Sequence, residues 1–120
     1  RGLAGTLIDG ISRDVKLCRA LGYPVFSKGH WMRTGKDRVQ VEQTDCVVEI
    51  GGARVAPGDL LRGDPDGVVV LPREHEEAVL AAAEEIHAAE ERIRAACRGG
   101  MRLDEARAAN RYHQLQTRQD

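Results

Sequence analysis

The stretch LAGTLIDGISRDVKLCRALG, residues 3–22, decides how the chain folds. Leu3 to Ile8 is small or apolar on both strand faces, the pattern of a central strand covered by helices on both sides. The strand is predicted to end at Asp9-Gly10. From Ser12 the period becomes helical, with Val15, Leu17, Cys18 and Leu21 inward and Arg13, Asp14, Lys16 and Arg19 outward, and Gly22 supplies the stop. The result is a strand-turn-helix unit. Tyr23 to Phe26 comes next as a second short strand, and Pro24 puts its start, or a sheet edge, there.

Downstream the punctuation changes. SKGHWMRTGKDRVQ is glycine-punctuated and basic, has no convincing period, and reads as a long loop. Short β runs come after it at Val39 to Glu42, Cys46 to Ile50, Ala53 to Val55 beyond a Gly51-Gly52 turn, and Leu60-Leu61 beyond Pro57-Gly58-Asp59. Asp64-Pro65-Asp66-Gly67 turns into Val68 to Leu71. Turns this compact predict antiparallel pairing, so the sheet as a whole is expected to be mixed. Pro72 opens a long helix to about Arg98, with Val79, Ala82, Ala83, Ile86, Ala89, Ile93 and Ala96 along one stripe, and Gly99-Gly100 stops it. Leu103 to about Leu115 is a second short amphipathic helix, expected to dock either on a subunit partner or on its own domain.

With 120 residues the chain is the size of one modest domain. Eighteen Lys and Arg against nineteen Asp and Glu, without a run of one sign, argue against a nucleic-acid partner. Cys18, Cys46 and Cys97 are too scattered for a disulfide framework or a structural zinc site, so a reducing, cytoplasmic setting is expected. No apolar stretch approaches the roughly 20 residues of a membrane helix. The chain opens on RGLAGTLIDG, without Met, as a strand with nothing before it; an upstream segment is therefore expected.

Arg13 and Asp14 stand at the first turn of the helix after the apolar strand, and ligands of α/β sheets collect at the carboxyl ends of strands. An Arg there can bind a carboxylate or a developing enolate bidentately, and an Asp beside it can hold Mg²⁺ or Mn²⁺. The plainer reading has Asp14 complementing the helix dipole and Arg13 in solvent. Asp9 and Ser12 could join the site or serve as turn and cap, with Ser12 the better cap. His30 could be an acid or base, or a solvated loop residue; His75, His87 and His113 lie on helices without metal-ligand spacing and read as surface residues.

Taken in order, LAGTLIDGISRDV, RALGYPVFSKG and GGARVAPGDLLRGDPDGVVVLP, with a Glu-rich helix after them, the chain resembles the RraA-like family. That family holds 4-hydroxy-4-methyl-2-oxoglutarate and 4-carboxy-4-hydroxy-2-oxoadipate aldolases with oxaloacetate decarboxylase activity, and a regulator of ribonuclease E activity. The resemblance implies an α/β sandwich of the swivelling phosphohistidine-domain type, with a mixed sheet and C-terminal helices, assembled as homotrimers or hexamers. Residues 1–98 would be the C-terminal portion of one such domain and residues 99–120 a helical extension. The implied activity is a divalent-metal-dependent class II aldolase or decarboxylase that cleaves a C–C bond of a small oxo acid to give pyruvate through an enolate. Arg13 would be the catalytic and substrate-binding enolate stabiliser, Asp14 the metal anchor, and Mg²⁺ or Mn²⁺ the cofactor. The family's glycine-containing loop for the substrate carboxylate would lie before Arg1. A glutamate from a neighbouring subunit's C-terminal helix is also implied, among Glu84, Glu85, Glu90 and Glu91. Leu17 stands where the aldolase pattern has an acidic residue, which supports the alternative of a non-catalytic trimeric regulator that binds a protein partner.

Overall fold

The computed structural model describes residues 2–115 and 117, and the last residues of the expected extension lie outside that range. The chain divides into two compact units, Arg1–Arg73 and Glu74–Asp120. In the first unit β1 (Thr6–Ser12), α1 (Val15–Ala20) and β2 (Val25–His30) form a β-α-β unit in which β1 and β2 pair in parallel. About a dozen connecting residues is the least that a parallel crossover needs, and residues 13–24, built around α1, supply it. The helix ends with Gly22 at φ 62, Gly22 N–H on Arg19 O and Tyr23 N–H on Cys18 O. A residue in the left-handed region is needed for that 6→1 closure, and glycine takes it without a Cβ clash.

The expected end of the first strand at Asp9-Gly10 is corrected. β1 runs on to Ser12, because one extra residue is absorbed in a bulge between Ile8, opposite Ser27, and Ile11, opposite Gly29. A bulge bends its strand and re-aims the side chains beyond it, here the last residues before Arg13. The helix also starts later than Ser12, and only Val15 and Cys18 are partly buried on it; Leu17 is 59% exposed and Leu21 stands in solvent.

β3 (Val48–Ile50) and β4 (Ala53–Val55) pair antiparallel across Gly51-Gly52, and β5 (Leu60–Asp64) and β6 (Gly67–Leu71) across Pro65-Asp66. Among the described residues the strands form three separate two-stranded sheets, one parallel and two antiparallel, instead of one continuous mixed sheet. Three-residue strands bounded by turns offer too few ladder bonds to carry pairing further. Val39 to Glu42 is no strand: the chain folds back through N–H bonds from Arg38 and Val39 to Gly35 O, and no strand pairs with it among the described residues. Phe26 seats its ring on Gly63 of β5, where a side chain would collide with it.

The second unit is helical. A turn of 3-10 helix at Arg73–His75 precedes α2 (Glu76–Arg98), so the regular helix starts a turn later than Pro72. Gly100 at φ 94 stops α2, with Gly100 N–H on Cys97 O and Met101 N–H on Ala96 O, the same closure as in α1. The expected helix from Leu103 to Leu115 is two, α3 (Leu103–Ala109) and α4 (Tyr112–Leu115), broken where Arg111 turns left-handed at φ 50. They pack on α2 through Ala89, Ile93 and Ala106, all buried. Tyr112 donates to Glu90 Oε1 at 2.8 Å and Arg92 to Asn110 Oδ1 at 2.9 Å. No helix is long and apolar enough to cross a membrane among the described residues.

Candidate active site

β1 and β2 run parallel, so their carboxyl ends lie side by side, with Ser12 opposite His30. The backbone just past these ends is held too: Trp31 N–H donates to Ser12 O at 2.9 Å, which carries the ladder one residue past β2. Beyond Ser12 come Arg13 and then Asp14, the N-cap of α1, with φ 61 and ψ 27. A non-glycine residue in this left-handed region is strained, and Asp is among the few types that visit it. Asp14 makes no capping bond with its side chain. Its Oδ2 instead accepts from Arg13 Nε at 3.0 Å, with both side chains at least half exposed.

Arg13, Asp14, Val15, His30, Trp31 and Met32 line a cavity of about 160 Å³. The two residues singled out from sequence are therefore joined to each other and share this lining with His30. Nothing in the basic loop's composition marks Trp31 and Met32. Arg33 places its guanidinium 4.7 Å from the Trp31 ring centroid.

Asp9 and Ser12 do not join the cavity lining. Asp9, in the bulge, accepts from Lys28 Nζ at 2.7 Å and from Gly51 N–H at 2.9 Å, which ties the β3–β4 turn to β1. The Lys28 bond, then the Gly51 bond, hold its carboxyl below the usual value. Ser12 is not the helix cap that its residue type suggested. It is the last residue of β1, and its hydroxyl donates to Arg13 O at 3.2 Å. His75, His87 and His113 lie on or beside helices and outside this cavity. Of the C-terminal glutamates, Glu90 and Glu91 pair with Arg94, while Glu84 and Glu85 are exposed. No group of three or more His, Cys, Asp or Glu converges as a metal cluster among the described residues. Asp14 is a hard-oxygen carboxylate at a cavity open to water, a donor that suits a hydrated Mg²⁺ or Mn²⁺ completed by water and substrate oxygens.

A family model described as RraA-like, Aldolase/RraA, matches residues 1–70. The chain belongs to the RraA-like family. Among RraA-like relatives, a protein of Halalkalibacterium halodurans provisionally named as a 4-hydroxy-4-methyl-2-oxoglutarate aldolase is 37% identical over 90 residues, 75% of this chain and 42% of that protein. Protein DlpA of Legionella pneumophila is 37% identical over 112 residues, 93% of this chain and 18% of that protein. The crystal structure of an uncharacterised protein from Pseudomonas syringae matches with a TM-score of 0.85 at 36% identity, over 89% of this chain and 54% of that one. The RraA-like chain thus spans from a fifth to about half the length of these relatives.

Proposed function

We propose that the chain carries the reacting end of a lyase that releases pyruvate from a small 2-oxo acid through an enolate, with Arg13 and Asp14 as the working pair. The observation that carries this reading is the joined pair at the carboxyl end of a parallel strand, in a family with relatives provisionally named as aldolases. In the retro-aldol direction the 4-hydroxyl loses its proton, the C3–C4 bond breaks, and its electron pair moves to the 2-oxo oxygen. The C4 fragment leaves as a carbonyl compound, and C3 of the enolate takes a proton to give pyruvate. Decarboxylation of oxaloacetate reaches the same enolate with CO₂ as the leaving fragment. No lysine adduct is required.

Arg13 binds the developing enolate oxygen, whose charge grows toward the transition state. Asp14 would hold the divalent cation. When bound, that cation supplies Lewis acidity at the 2-oxo oxygen. His30, in the same lining, is the group proposed to return the proton to C3. Homotrimeric assembly and the family's α/β sandwich belong to this reading. The test is pyruvate release by the full-length protein from oxaloacetate and from 4-hydroxy-4-methyl-2-oxoglutarate, with Mg²⁺ or Mn²⁺ and with a chelator. Metal-dependent pyruvate from either acid supports the lyase; none from both rejects it.

A further inference from the structure

Between its two paired stretches β1 carries one residue more than β2. Ile8 stands opposite Ser27 and Ile11 opposite Gly29, so Asp9 and Gly10 together face Lys28 alone. Residues opposite each other share a face of the sheet, and a slip of one residue turns a whole strand end over. If the pairing from Thr6 to Ile8 ran on without the bulge, Ile11 would stand opposite His30 and Ser12 opposite Trp31. The bulge instead sets Ser12 opposite His30 and lets Trp31 N–H reach Ser12 O at 2.9 Å. Which residues of β2 come up beside Arg13 is therefore decided upstream, at Asp9-Gly10.

A single carboxylate oxygen holds the extra residue in place. Asp9 Oδ1 accepts from Lys28 Nζ at 2.7 Å and from Gly51 N–H at 2.9 Å. Lys28 is the residue that the bulge faces, and Gly51 belongs to the turn between β3 and β4, so the bulge is tied both to its neighbouring strand and to a second sheet. Resting on the reading of Arg13 and Asp14 as the working pair, we propose that Asp9 is a positioning residue of the lyase. It fixes the bulge, and through the bulge the register that brings His30 to the end of β1 that carries Arg13. Asp9 lines no part of the cavity itself. Its side chain is 36% exposed and that of Lys28 61%, and an ion pair so open to water adds little to stability. What it governs is where the strand end lies, and a misplacement of about 1 Å among reacting groups can cost roughly 10²-fold in rate.

The test joins pyruvate release by the full-length protein at saturating Mn²⁺, from oxaloacetate or 4-hydroxy-4-methyl-2-oxoglutarate, whichever it cleaves, to hydrogen exchange at the Trp31 amide. Asp9→Ala should lower kcat by about tenfold or more and leave KM within about twofold, because transition-state geometry is lost and substrate contacts are not. Lys28→Ala should act in the same direction, and the double variant should be no slower than Asp9→Ala, since both changes break one contact. Asp9→Asn, whose amide oxygen can still accept both bonds, should keep most of the rate. In Asp9→Ala the Trp31 amide should exchange about threefold faster or more, while that of Ile93 in α2 is unchanged. An unaltered kcat or an unaltered Trp31 exchange in Asp9→Ala would overturn the proposal. So would a loss confined to KM, or a double variant in which the two losses multiply. The lyase reading fails separately: no pyruvate from the unaltered protein rejects the reaction, and the Trp31 exchange still decides whether Asp9 holds the register.

Discussion

Arg13 Nε lies 3.0 Å from Oδ2 of Asp14, and the residue that accepts this bond is the one whose backbone is left-handed, at φ 61. Two neighbouring residues with opposite charges thereby present one polar edge at the end of β1. If they divide the labour as proposed, they fail differently. Arg13→Ala should lower turnover by roughly 10²-fold or more at any metal concentration. Asp14→Asn should lose metal affinity first, so raised Mn²⁺ recovers part of the rate. Arg13→Lys should rescue little, since a point charge cannot reproduce the guanidinium fork. Steady-state rates across a Mn²⁺ series decide, and identical responses of the two variants refute the assignment.

Asp14 also separates stability from activity. Its side chain caps nothing in α1, and its left-handed backbone costs about 1 kcal/mol relative to glycine. Asp14→Gly is expected to hold or raise the denaturation midpoint while it lowers metal affinity and pyruvate release. A lower midpoint would show that the carboxylate holds the turn.

Gly63 is predicted to tolerate no side chain. A Cβ there would sit 2.6 Å from Phe26 Cε2 and 2.9 Å from Cε1, and an aromatic ring cannot bend aside. Gly63→Ala should destabilise by about 1–3 kcal/mol. Adding Phe26→Leu should give back part of the loss in urea denaturation, and additive losses would show that the two do not meet.

Acid should loosen the turns held by Asp59 and Asp9. Asp59 accepts from Ala56 N–H at 2.8 Å and from Arg73 N–H at 3.1 Å, and these bonds hold its carboxyl below 3.8, as those of Lys28 and Gly51 do for Asp9. A depressed folded-state pKa means stability that is complete above the ordinary carboxylate range and lost as pH falls from about 4 through the folded value. Asp9→Asn and Asp59→Asn should flatten the dependence of stability on pH below about 4 and leave its slope between about 5 and 8 unchanged. Denaturant midpoints measured from acid to neutral pH check this.

The chain is expected to associate. Its accessible surface is 10418 Å², whereas two separate compact units of the observed lengths would present roughly 7,700 Å² together. Among large apolar side chains left in water are Leu60, Leu61, Val69, Val79 and Leu80. Sedimentation should find the 120-residue chain self-associated, or dye binding should report its exposed apolar surface. Deletion after Gly99 should also expose Ala89 and Ile93 and weaken α2. A monodisperse monomer that binds no dye would refute the expectation.

Much is legible in the sequence because it rests on local rules. An apolar run and the helical period place β1, α1 and α2, whereas of β2 only Val25 and Phe26 fall in the strand expected at Tyr23 to Phe26, and Ser27 to His30 fall in the expected loop. Glycines and prolines place the turns at Gly51-Gly52, Gly58 and Gly99-Gly100, and the position of Arg13 and Asp14 after an apolar strand marks them as candidate site residues. Local rules misjudge what depends on partners. Val39 to Glu42 has strand composition and no pairing strand among the described residues; Leu17 and Leu21 are apolar and exposed. The bulge at Asp9-Gly10 is invisible in sequence, since it exists only in register against Ser27 and Gly29. Only the tertiary structure sets His30 and Trp31 beside Arg13, because parallel pairing, a relation between segments a crossover apart, decides which strand ends meet.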